Sequence, residues 1–196
     1  MYFFTSDTHF GDDNTLMVDM RPFKNSNAFD KFVIKTWNKQ AKKGDTIFVV
    51  GDFVDCDGEG YTSWRKTLRY AKKLKANLVL IMGNNEKRIV KYYFNNDFDS
   101  FVKYCKDECG IYDVFNSLTI NILNQDFYLV HKPIDHNPNM LNLFGHLHRS
   151  CGLHKKIGFN VGCDLNHFRL YDENDIKKLL NMRQTYWLTD KNLNIE

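Results

Sequence analysis

The sequence is poor in proline and has no long apolar run, and both shortages limit what the chain can be. Only three prolines occur among its 196 residues, and no linker, internal repeat or low-complexity stretch divides the chain. No apolar run approaches the roughly 20 residues that a membrane-spanning helix needs. The first seven residues lack the basic leader and the apolar stretch of a signal peptide. We therefore expect a cytoplasmic protein with no membrane span and no membrane partner.

Paired cysteines are also missing from the sequence. The chain has five cysteines, which is an odd number, and none of them forms a C-x-x-C pair. This pattern favours free thiols in a reducing compartment over a disulfide framework or a cysteine-based zinc site. The five are Cys56, Cys105, Cys109, Cys151 and Cys163.

A strong excess of charge of either sign is absent as well. Lys and Arg number 27 against 24 Asp and Glu, which gives a net charge of +3. That excess is too small to indicate nucleic acid on its own, because binding to a phosphate backbone generally uses clustered cations. Hydrophobic residues make up 43% of the chain and aromatic residues 15%, so we expect one folded domain over residues 1–196.

Short apolar runs in the first half each end in a cluster of polar residues. Such runs indicate buried strands, and helical spacing of apolar residues between them predicts helices. Strands that alternate with helices are typical of an α/β protein, in which sites form beyond the carboxyl ends of the strands. The first predicted helix has Asn27 as its N-cap and closes at Lys42-Lys43-Gly44, and the second covers about residues 62–74. The runs and their clusters are 2–6 with Asp7 and His9, 46–50 with Asp52, and 78–82 with Asn84, Asn85 and Glu86.

The second half repeats this pattern with histidines. Residues 118–123 and 127–130 predict a hairpin around 124–126, and its second arm ends at His131. Residues 141–144 form another apolar run, which ends in Gly145-His146-Leu147-His148. Asp172 is the predicted cap of a last helix.

The polar clusters together have the composition of a metal site. Carboxylates, imidazoles and an amide oxygen are ligands for hard or borderline divalent metals. In Asp-x-His and His-x-His, residues two apart in extended chain point to the same side, so each pair can aim at one centre. The candidate metal ligands are Asp7, His9, Asp52, Asn84, His131, His146 and His148.

In their order along the chain, these motifs resemble the signature of the calcineurin-like metallophosphoesterase superfamily: D-x-H, GD, GN-H-[DE], H and GH-x-H. The resemblance covers nearly the whole chain. The segments 6–11, 21–23 and 160–164 look like the small, cap-less bacterial and phage members. The resemblance implies an α/β sandwich of two mixed β-sheets flanked by helices, with the metals at one edge.

The resemblance also implies two divalent metal ions that share Asp52. By analogy with small relatives we expect manganese, and the ligands leave iron, zinc and nickel open. One metal would take Asp7, His9, Asp52 and His148, and the other would take Asp52, Asn84, His131 and His146.

The implied activity is metal-dependent hydrolysis of phosphoesters by a hydroxide that bridges the metals. We expect phosphodiesters ahead of monoesters, and a nucleotide or cyclic nucleotide would suit a small site. The first alternative is a metal-binding scaffold with weak catalysis, and the second is a small nuclease, which the low net charge disfavours. The expected catalytic residues are Asp52, Asn84, Asn85 and His131, and the expected substrate contacts are Asn85, Arg21 and Arg149.

The chain departs from the family pattern at Asn85, where the family has the histidine that protonates the leaving group. An amide cannot act as a general acid near neutral pH, although it can hydrogen-bond a phosphate oxygen. Three explanations stay open: a preference for diesters or activated phosphoryl groups, protonation by His136 or His154, or poor turnover. A second departure is Asp12-Asp13, which forms either an altered substrate mouth or an exposed acidic loop.

Overall fold

Two five-stranded β-sheets form the centre of the fold. The computed structural model describes residues 1–57 and 63–192, with side chains up to residue 185. The first sheet has the strand order β10-β1-β2-β3-β4, and the second has the order β5-β6-β7-β9-β8. The strands are β1 (Tyr2–Thr5), β2 (Thr46–Val50), β3 (Asn77–Ile81), β4 (Asp113–Phe115), β5 (Leu118–Ile122), β6 (Gln125–Leu129), β7 (Leu141–Phe144), β8 (Leu153–His154), β9 (Gly158–Asn160) and β10 (Tyr171–Asp172). The helices are α1 (Asp13–Val18), α2 (Ser26–Gln40), α3 (Trp64–Leu68), α4 (Asn84–Tyr93), α5 (Phe98–Tyr104) and α6 (Glu173–Asn192).

The first sheet is buried on both faces. Strands β1 to β4 run parallel, and only β10 pairs antiparallel at the edge. Successive side chains of a strand point to opposite faces. In β2, Phe48 and Val50 therefore pack in a core shared with the second sheet, while Ile47 and Val49 pack in a core shared with the helices. Burial on both faces explains why these strands are nearly continuous apolar runs.

The second sheet is mixed. Strands β6, β7 and β9 are parallel to one another, and β5 and β8 pair antiparallel at the two edges. Along β6, Phe127 and Leu129 are buried against the first sheet, whereas Gln125 and Asp126 are exposed and Tyr128 is half-buried. The predicted sandwich of two mixed sheets flanked by helices is confirmed.

The first predicted helix exists as α2, but both of its ends differ from the prediction. Its N-cap is Asn25 and not Asn27, because the Asn25 side chain accepts a hydrogen bond from the main-chain N–H of Ala28 (3.0 Å). The helix ends at Gln40, before the Lys-Lys-Gly segment that was expected to close it.

The helix predicted over residues 62–74 is divided. Helix α3 is followed directly by a 3₁₀ helix over Arg69–Lys73, and the first residue of the prediction lies outside the described residues. Trp64, Leu68 and Ala71 are buried, as their helical spacing predicts. Across the part of the chain that the structure describes, no helix is both long and apolar enough to cross a bilayer.

Strands β5 and β6 form the predicted hairpin with a shorter turn than expected. Ile122 pairs with Gln125, so the turn consists of Leu123 and Asn124 alone. Both turn residues have positive φ, at 55° and 60°, which is the conformation that a two-residue type I′ turn requires.

The carboxyl ends of strands from both sheets meet at one edge. After β1 and β2, the main-chain N–H of Asp7 donates to the carbonyl of Gly51 (3.1 Å), and after β6 and β7, Gly145 donates to His131 (3.0 Å). The N–H of His146 joins the two sheets, because it donates to both carboxylate oxygens of Asp7 (3.0 Å each). This edge therefore collects the polar clusters of the sequence. A single domain over residues 1–196 stays a prediction.

Candidate metal centre

Three residues that follow strands of the first sheet point to one place. The main-chain N–H of His9 donates to the carbonyl of Asp52 (3.0 Å), which sets the two loops side by side. The Nε2 atom of His9 then lies 3.7 Å from Oδ2 of Asp52. Asp7, His9 and Asp52 are all buried.

The histidines of the second sheet reach the same place from the other side. Nε2 of His131 lies 3.4 Å from Oδ2 of Asp52, and Nε2 of His148 lies 3.9 Å from Oδ1 of Asp7. The ring of His146 lies 5.3 Å from that of His131.

The amide of Asn84 completes the cluster at the start of α4. Its Nδ2 atom lies 3.0 Å from Nδ1 of His146. The structure thus brings all seven predicted ligands together, although they come from separate loops of both sheets.

The ligand atoms fall into two overlapping groups. One contains Asp7, His9 and His148, and the other contains Asp7, Asp52 and His131, each within a span of 4.8 Å. Asp7 thus belongs to both groups, whereas the resemblance makes Asp52 the shared ligand. We use "first position" for Asp7, His9, Asp52 and His148, and "second position" for Asp52, Asn84, His131 and His146.

The residues present fit divalent cations. Within the described residues, Nε2 of His9 and Nε2 of His131 are buried and have no hydrogen-bond partner. A buried, unpaired imidazole nitrogen is unfavourable unless a ligand satisfies it. Both nitrogens face the same oxygen of Asp52. A mixed set of imidazole, carboxylate and amide donors is what manganese, iron or zinc accepts.

The electrostatics of the cluster keep Asp52 ionised. Burial opposes its charge, but the contact with His131 and the positive charge of that imidazole prevail and lower the pKa of Asp52 well below its usual range. Burial alone would lower the pKa of His131, and the nearby Asp52 carboxylate instead raises it to about 9. Burial lowers the pKa of His9 despite its acidic neighbours. A neutral imidazole is the form that binds metal.

Glycines before the ligands provide space as well as backbone freedom. Gly51 has φ +86°, and a Cβ there would lie 2.3 Å from Nδ1 of His131. Gly145 has no such φ, but a Cβ there would lie 2.6 Å from Oδ2 of Asp7. Any side chain at either position would displace a candidate ligand.

Left-handed backbone is concentrated among the candidate ligands. Non-glycine residues with positive φ are uncommon, although Asp, Asn and His tolerate it best. Five of the seven candidate ligands have φ between 45° and 70°: Asp7, His9, Asp52, His146 and His148.

Glu86 is an important residue of the site to which the sequence assigns no role. It is fully buried and accepts hydrogen bonds from the main-chain N–H groups of Gly83 (2.9 Å), Asp52 (3.0 Å) and Phe53 (3.0 Å). Burial, together with the charge of Asp52, raises the pKa of Glu86. Its carboxylate anchors the start of α4 to the Asp52 loop. The only sign of this role in the sequence is that Glu86 belongs to the motif of residues 83–86, which also carries a candidate ligand.

Asn85 lies beside the first position. Its main-chain N–H donates to Oδ1 of Asp52 (2.8 Å), and its side-chain Nδ2 lies 3.2 Å from Nδ1 of His9. The side chain is buried at the floor of the site. Oδ1 of Asp52 is thereby occupied, and Oδ2 is left to face the imidazoles.

Arg21, an expected substrate contact, lies behind the ligands. Its guanidinium donates to the carboxylate of Asp164 (2.7 and 2.8 Å) and to the carbonyls of Asp7 (2.7 Å) and Thr8 (2.8 Å). It also stacks over the ring of Phe29 at 4.8 Å. Only 1% of the side chain is exposed, so its donors are committed to the protein itself.

The acidic pair after Gly11 has local structural partners. Asp12 caps α1, since its side chain accepts from the N–H groups of Asn14 (2.8 Å) and Thr15 (3.0 Å). Asp13 accepts from the N–H of Ser26 (2.5 Å). Oδ2 of Asp12 also lies 3.9 Å from Nδ1 of His9, so the cap borders the metal centre.

The remaining predicted residues lie around the rim. Arg149 directly follows a candidate ligand and is exposed, and His154 is exposed in β8. His136 is half-buried, with Nδ1 2.9 Å from the carbonyl of Pro133. Within the described residues, neither His136 nor His154 hydrogen-bonds a candidate ligand through its side chain.

Comparisons with known proteins agree with this geometry. A family model described as "Calcineurin-like phosphoesterase" matches residues 2–182. Among solved structures, the protein of unknown function AQ665 from Aquifex aeolicus matches with a TM-score of 0.65 and 20% identity. That match covers 91% of this chain and 98% of the other. At this identity, the likeness bears on the fold alone.

Two further matches are weaker. A solved structure described as a novel archaeal phosphodiesterase has a TM-score of 0.46 and 16% identity, and the match covers 82% of this chain and 81% of the other. The uncharacterized protein MJ1445 of Methanocaldococcus jannaschii is 29% identical over 92 residues, which are 44% of this chain and 50% of that protein. The match thus spans about half the length of this curated relative.

Proposed function

Because the chain belongs to the calcineurin-like phosphoesterase family, we propose that it is a metal-dependent hydrolase that cleaves phosphodiesters in preference to monoesters. One observation carries this proposal. Among the residues that the structure describes, the buried Nε2 atoms of His9 and His131 have no hydrogen-bond partner, and both face a single oxygen of Asp52, at 3.7 and 3.4 Å. A shared carboxylate between two imidazoles suits a pair of adjacent divalent cations.

The proposed assignment places one cation at each position of the centre. When bound, two cations supply Lewis-acid activation of water and of the phosphate oxygens near neutral pH. We propose manganese, with iron, zinc and nickel as the metals to compare. The ligands are Asp7, His9, Asp52 and His148 at the first position, and Asp52, Asn84, His131 and His146 at the second.

Hydrogen bonds within the protein hold the shared carboxylate and the second-position imidazole in place. Asn85 donates its N–H to Oδ1 of Asp52, and Glu86 accepts the N–H of Asp52. Nδ1 of His131 lies 2.9 Å from the carbonyl of Val50, so it donates there, and Nε2 is the nitrogen that would bind the cation. Hydrogen bonds of this kind, made by the atoms of a ligand that do not face the metal, fix ring orientation and tautomer.

Asn85 supports the preference for diesters. Its amide can donate a hydrogen bond to a phosphate oxygen but cannot release a proton to a leaving group. Loss of a general acid typically costs about 10²–10⁴-fold in rate, and the penalty shrinks as the leaving group improves. A substrate with a stable leaving group suits this site best, and His136 or His154 is the alternative proton donor.

An exposed cation at the rim of the site is consistent with a small anionic substrate. Arg149 is exposed and directly follows His148, so we propose that it contacts the phosphate or an adjoining group. We propose a substrate of the size of a nucleotide or a cyclic nucleotide. The five cysteines, all within the described residues, are unpaired, and a cytoplasmic location stays part of the proposal.

The proposal is tested by the hydrolysis of bis(nitrophenyl) phosphate and of nitrophenyl phosphate. Both rates are measured with manganese and with excess chelator, for the wild type and for Asp52→Asn. Asp107→Asn removes the same charge at an exposed position and serves as the matched control. We expect manganese-dependent cleavage that is faster for the diester, absent in Asp52→Asn and normal in the control.

Two results would contradict the proposal in different ways. Faster cleavage of the monoester would reverse the substrate preference and leave the enzyme class in place. Tight binding of two manganese ions without cleavage of either ester would overturn the proposed hydrolase activity and favour a metal-binding scaffold. A steep loss of diester cleavage with added salt would favour a nuclease, because contacts with a phosphate backbone are strongly salt-dependent.

A further inference from the structure

His148, the last candidate ligand along the chain, has a carboxylate behind its ring. Nδ1 of His148 lies 2.5 Å from Oδ2 of Asp19, the residue that follows α1. Nε2, the other ring nitrogen, faces Asp7 at 3.9 Å. An ionised carboxylate only accepts hydrogen bonds, so Nδ1 carries the hydrogen. The lone pair of Nε2 is then directed at the first position.

Arg21 lies near the same oxygen of Asp19. Its guanidinium lies 3.8 Å from Oδ2 of Asp19 and pairs closely with Asp164. Its remaining donors bind the carbonyls of Asp7 and Thr8, at 2.7 and 2.8 Å. A single buried guanidinium thus contacts both the loop that carries Asp7 and the carboxylate that holds the last ligand.

We propose that Asp19 is a positioning residue that fixes the ring and the tautomer of His148, and that Arg21 fixes Asp19 against the Asp7 loop. The first position is therefore formed before a cation enters. The inference rests on the proposed two-metal function, and it adds two residues that lie outside the ligand motifs.

A third cation site at Asp19, His148 and Asp164 is the competing explanation, since their ligand atoms lie within 4.8 Å of one another. Arg21 argues against it. Its guanidinium lies 3.8 Å from Asp19 and 2.7 Å from Asp164, so positive charge already occupies this place. A divalent cation there would be repelled.

The second position has a different support. His131 is oriented by the main-chain carbonyl of Val50, and no carboxylate takes part in that hydrogen bond. Loss of the Asp19 carboxylate should therefore weaken one metal position and leave the other intact. This selectivity separates a positioning role from a general effect on folding.

The test is titration of metal-free protein with Mn²⁺ by calorimetry, comparing the wild type with Asp19→Asn. The substitution keeps the shape of the side chain and removes its charge. Loss of a residue that hydrogen-bonds a metal ligand typically costs about 10–100-fold in metal affinity, so we expect one of the two Mn²⁺ affinities to fall by that factor. Asp107→Asn, at an exposed position, should bind both ions as the wild type does.

A second measurement needs only the wild-type protein, so it stands even if Asp19→Asn fails to fold. Long-range proton–nitrogen NMR of the metal-free protein reports which ring nitrogen of His148 carries the hydrogen, with His148→Gln identifying the signal. We expect the hydrogen on Nδ1. In a folded Asp19→Asn variant the amide can present either its oxygen or its nitrogen, so both tautomers should be populated.

Equal weakening of both affinities, unchanged affinities, or a wild-type hydrogen on Nε2 would each overturn the inference. These outcomes are separate from those of the proposed function. A wild-type protein that binds two Mn²⁺ ions and cleaves no ester refutes the proposed hydrolase activity, but it leaves the positioning of His148 by Asp19 in place. An active Asp19→Asn variant with wild-type Mn²⁺ affinities refutes the positioning role of Asp19 and leaves the proposed function in place.

Discussion

His148 and His131 are both candidate ligands, but different parts of the protein hold them. His148 binds the side chain of Asp19, whereas His131 binds the main-chain carbonyl of Val50. The first position is thus supported by side chains that a substitution can remove. The imidazole of the second position is supported by a main-chain carbonyl, which no substitution can remove. A side chain added beside the imidazole can still displace it, as at Gly51.

The difference shows that two similar ligands respond to different kinds of mutation. Isosteric changes of a carboxylate should affect the first position with little disturbance of the fold. At the second position, the sensitive residue is Gly51, which leaves room for the imidazole of His131. Four predictions examine this contrast, from the largest expected effect to the smallest.

The first prediction concerns Asp30, a buried carboxyl on the first-position side of the molecule. It accepts a hydrogen bond from Gly11 (3.4 Å), and burial raises its pKa from 3.8 to about 7 despite that bond. The charged form is unfavourable when folded, so the free energy of unfolding should fall as the pH rises from about 4 to about 7. Over this pH range the free energy of unfolding should fall by about 4 kcal/mol, which is about 10³-fold in the folding equilibrium constant.

Urea unfolding of metal-free wild type and Asp30→Asn, from pH 4 to pH 8, measures this effect. The difference between their free energies of unfolding should grow with pH in favour of the variant and level off above about pH 7. Any cost of burying the amide is independent of pH and appears as a constant offset. A difference that stays flat over this range would show that Asp30 is ionised throughout.

The second prediction tests the backbone support of the second position through Gly51→Ala. The added Cβ would lie 2.3 Å from Nδ1 of His131, at a φ of +86° that alanine adopts poorly. We expect a loss of about 10²-fold in diester cleavage, because a small misplacement of a catalytic group has that effect. Calorimetry should show weaker Mn²⁺ binding at one position, the one that Asp19→Asn leaves intact.

Gly44→Ala is the matched control for that substitution. Gly44 also has a positive φ, at +91°, but nothing lies within 4 Å of an added Cβ. It should lose stability through backbone strain and keep both metal affinities. Equal loss of activity in the two variants would mean that strain, and not the displacement of His131, is responsible.

The third prediction uses Asn85→His to ask whether proton donation limits turnover. A histidine there would stand beside His9, as Asn85 does now at 3.2 Å, and could protonate a leaving group. We expect cleavage of an alkyl phosphate to rise by about 10–10²-fold, near the lower end of typical general-acid effects. Cleavage of an aryl diester should change little, so the alkyl-to-aryl ratio of kcat values is the measurement. An unchanged ratio would indicate that protonation comes from elsewhere.

The fourth and smallest effect is expected for Arg149→Gln. An exposed cation next to His148 attracts an anionic substrate by contacting the phosphate or an adjoining group, and it takes no part in bond cleavage. We expect KM to rise by about three- to tenfold and kcat to stay constant, with the effect fading in high salt. Lys156→Gln removes the same charge at an exposed position beyond β8 and should raise KM less. A fall in kcat instead would place Arg149 closer to the chemistry.

The three central strands of the first sheet, β1, β2 and β3, were predictable because they are buried on both faces, whereas the edge strands β4 and β10 were not predicted. Residues such as Phe48 and Val49 are apolar for different reasons, one facing the second sheet and one facing the helices, and together they form a run that is readily recognised. Helices α4 and α5 were absent from the sequence-based prediction. Each buries few side chains, and α5 fully buries only Phe101.

The candidate ligands were predictable from their motifs, whereas the residues that hold them were not. Asp19 lies 129 positions from His148, in a segment with no periodicity that would distinguish it from any solvated aspartate. Arg21 was expected to contact substrate because it resembles a family position. Its contacts with Asp164 and with the carbonyls of Asp7 and Thr8 depend on the tertiary fold. The hydrogen bond from His131 to a main-chain carbonyl leaves no trace in side-chain identity.

The left-handed backbone at five of the seven candidate ligands has a consequence for evolution and for engineering. A non-glycine residue held in this region typically costs about 1–3 kcal/mol, and only a requirement for its side chain explains why glycine has not replaced it. A lineage released from catalysis would gain stability by losing these side chains first. In a search for more heat-resistant variants, replacement by glycine would relieve the backbone strain at these positions and remove a candidate ligand, so any gain in Tm should come with a loss of activity. Thermal stability and chemistry are therefore in direct conflict at these positions, and screens for stability need an activity measurement beside them.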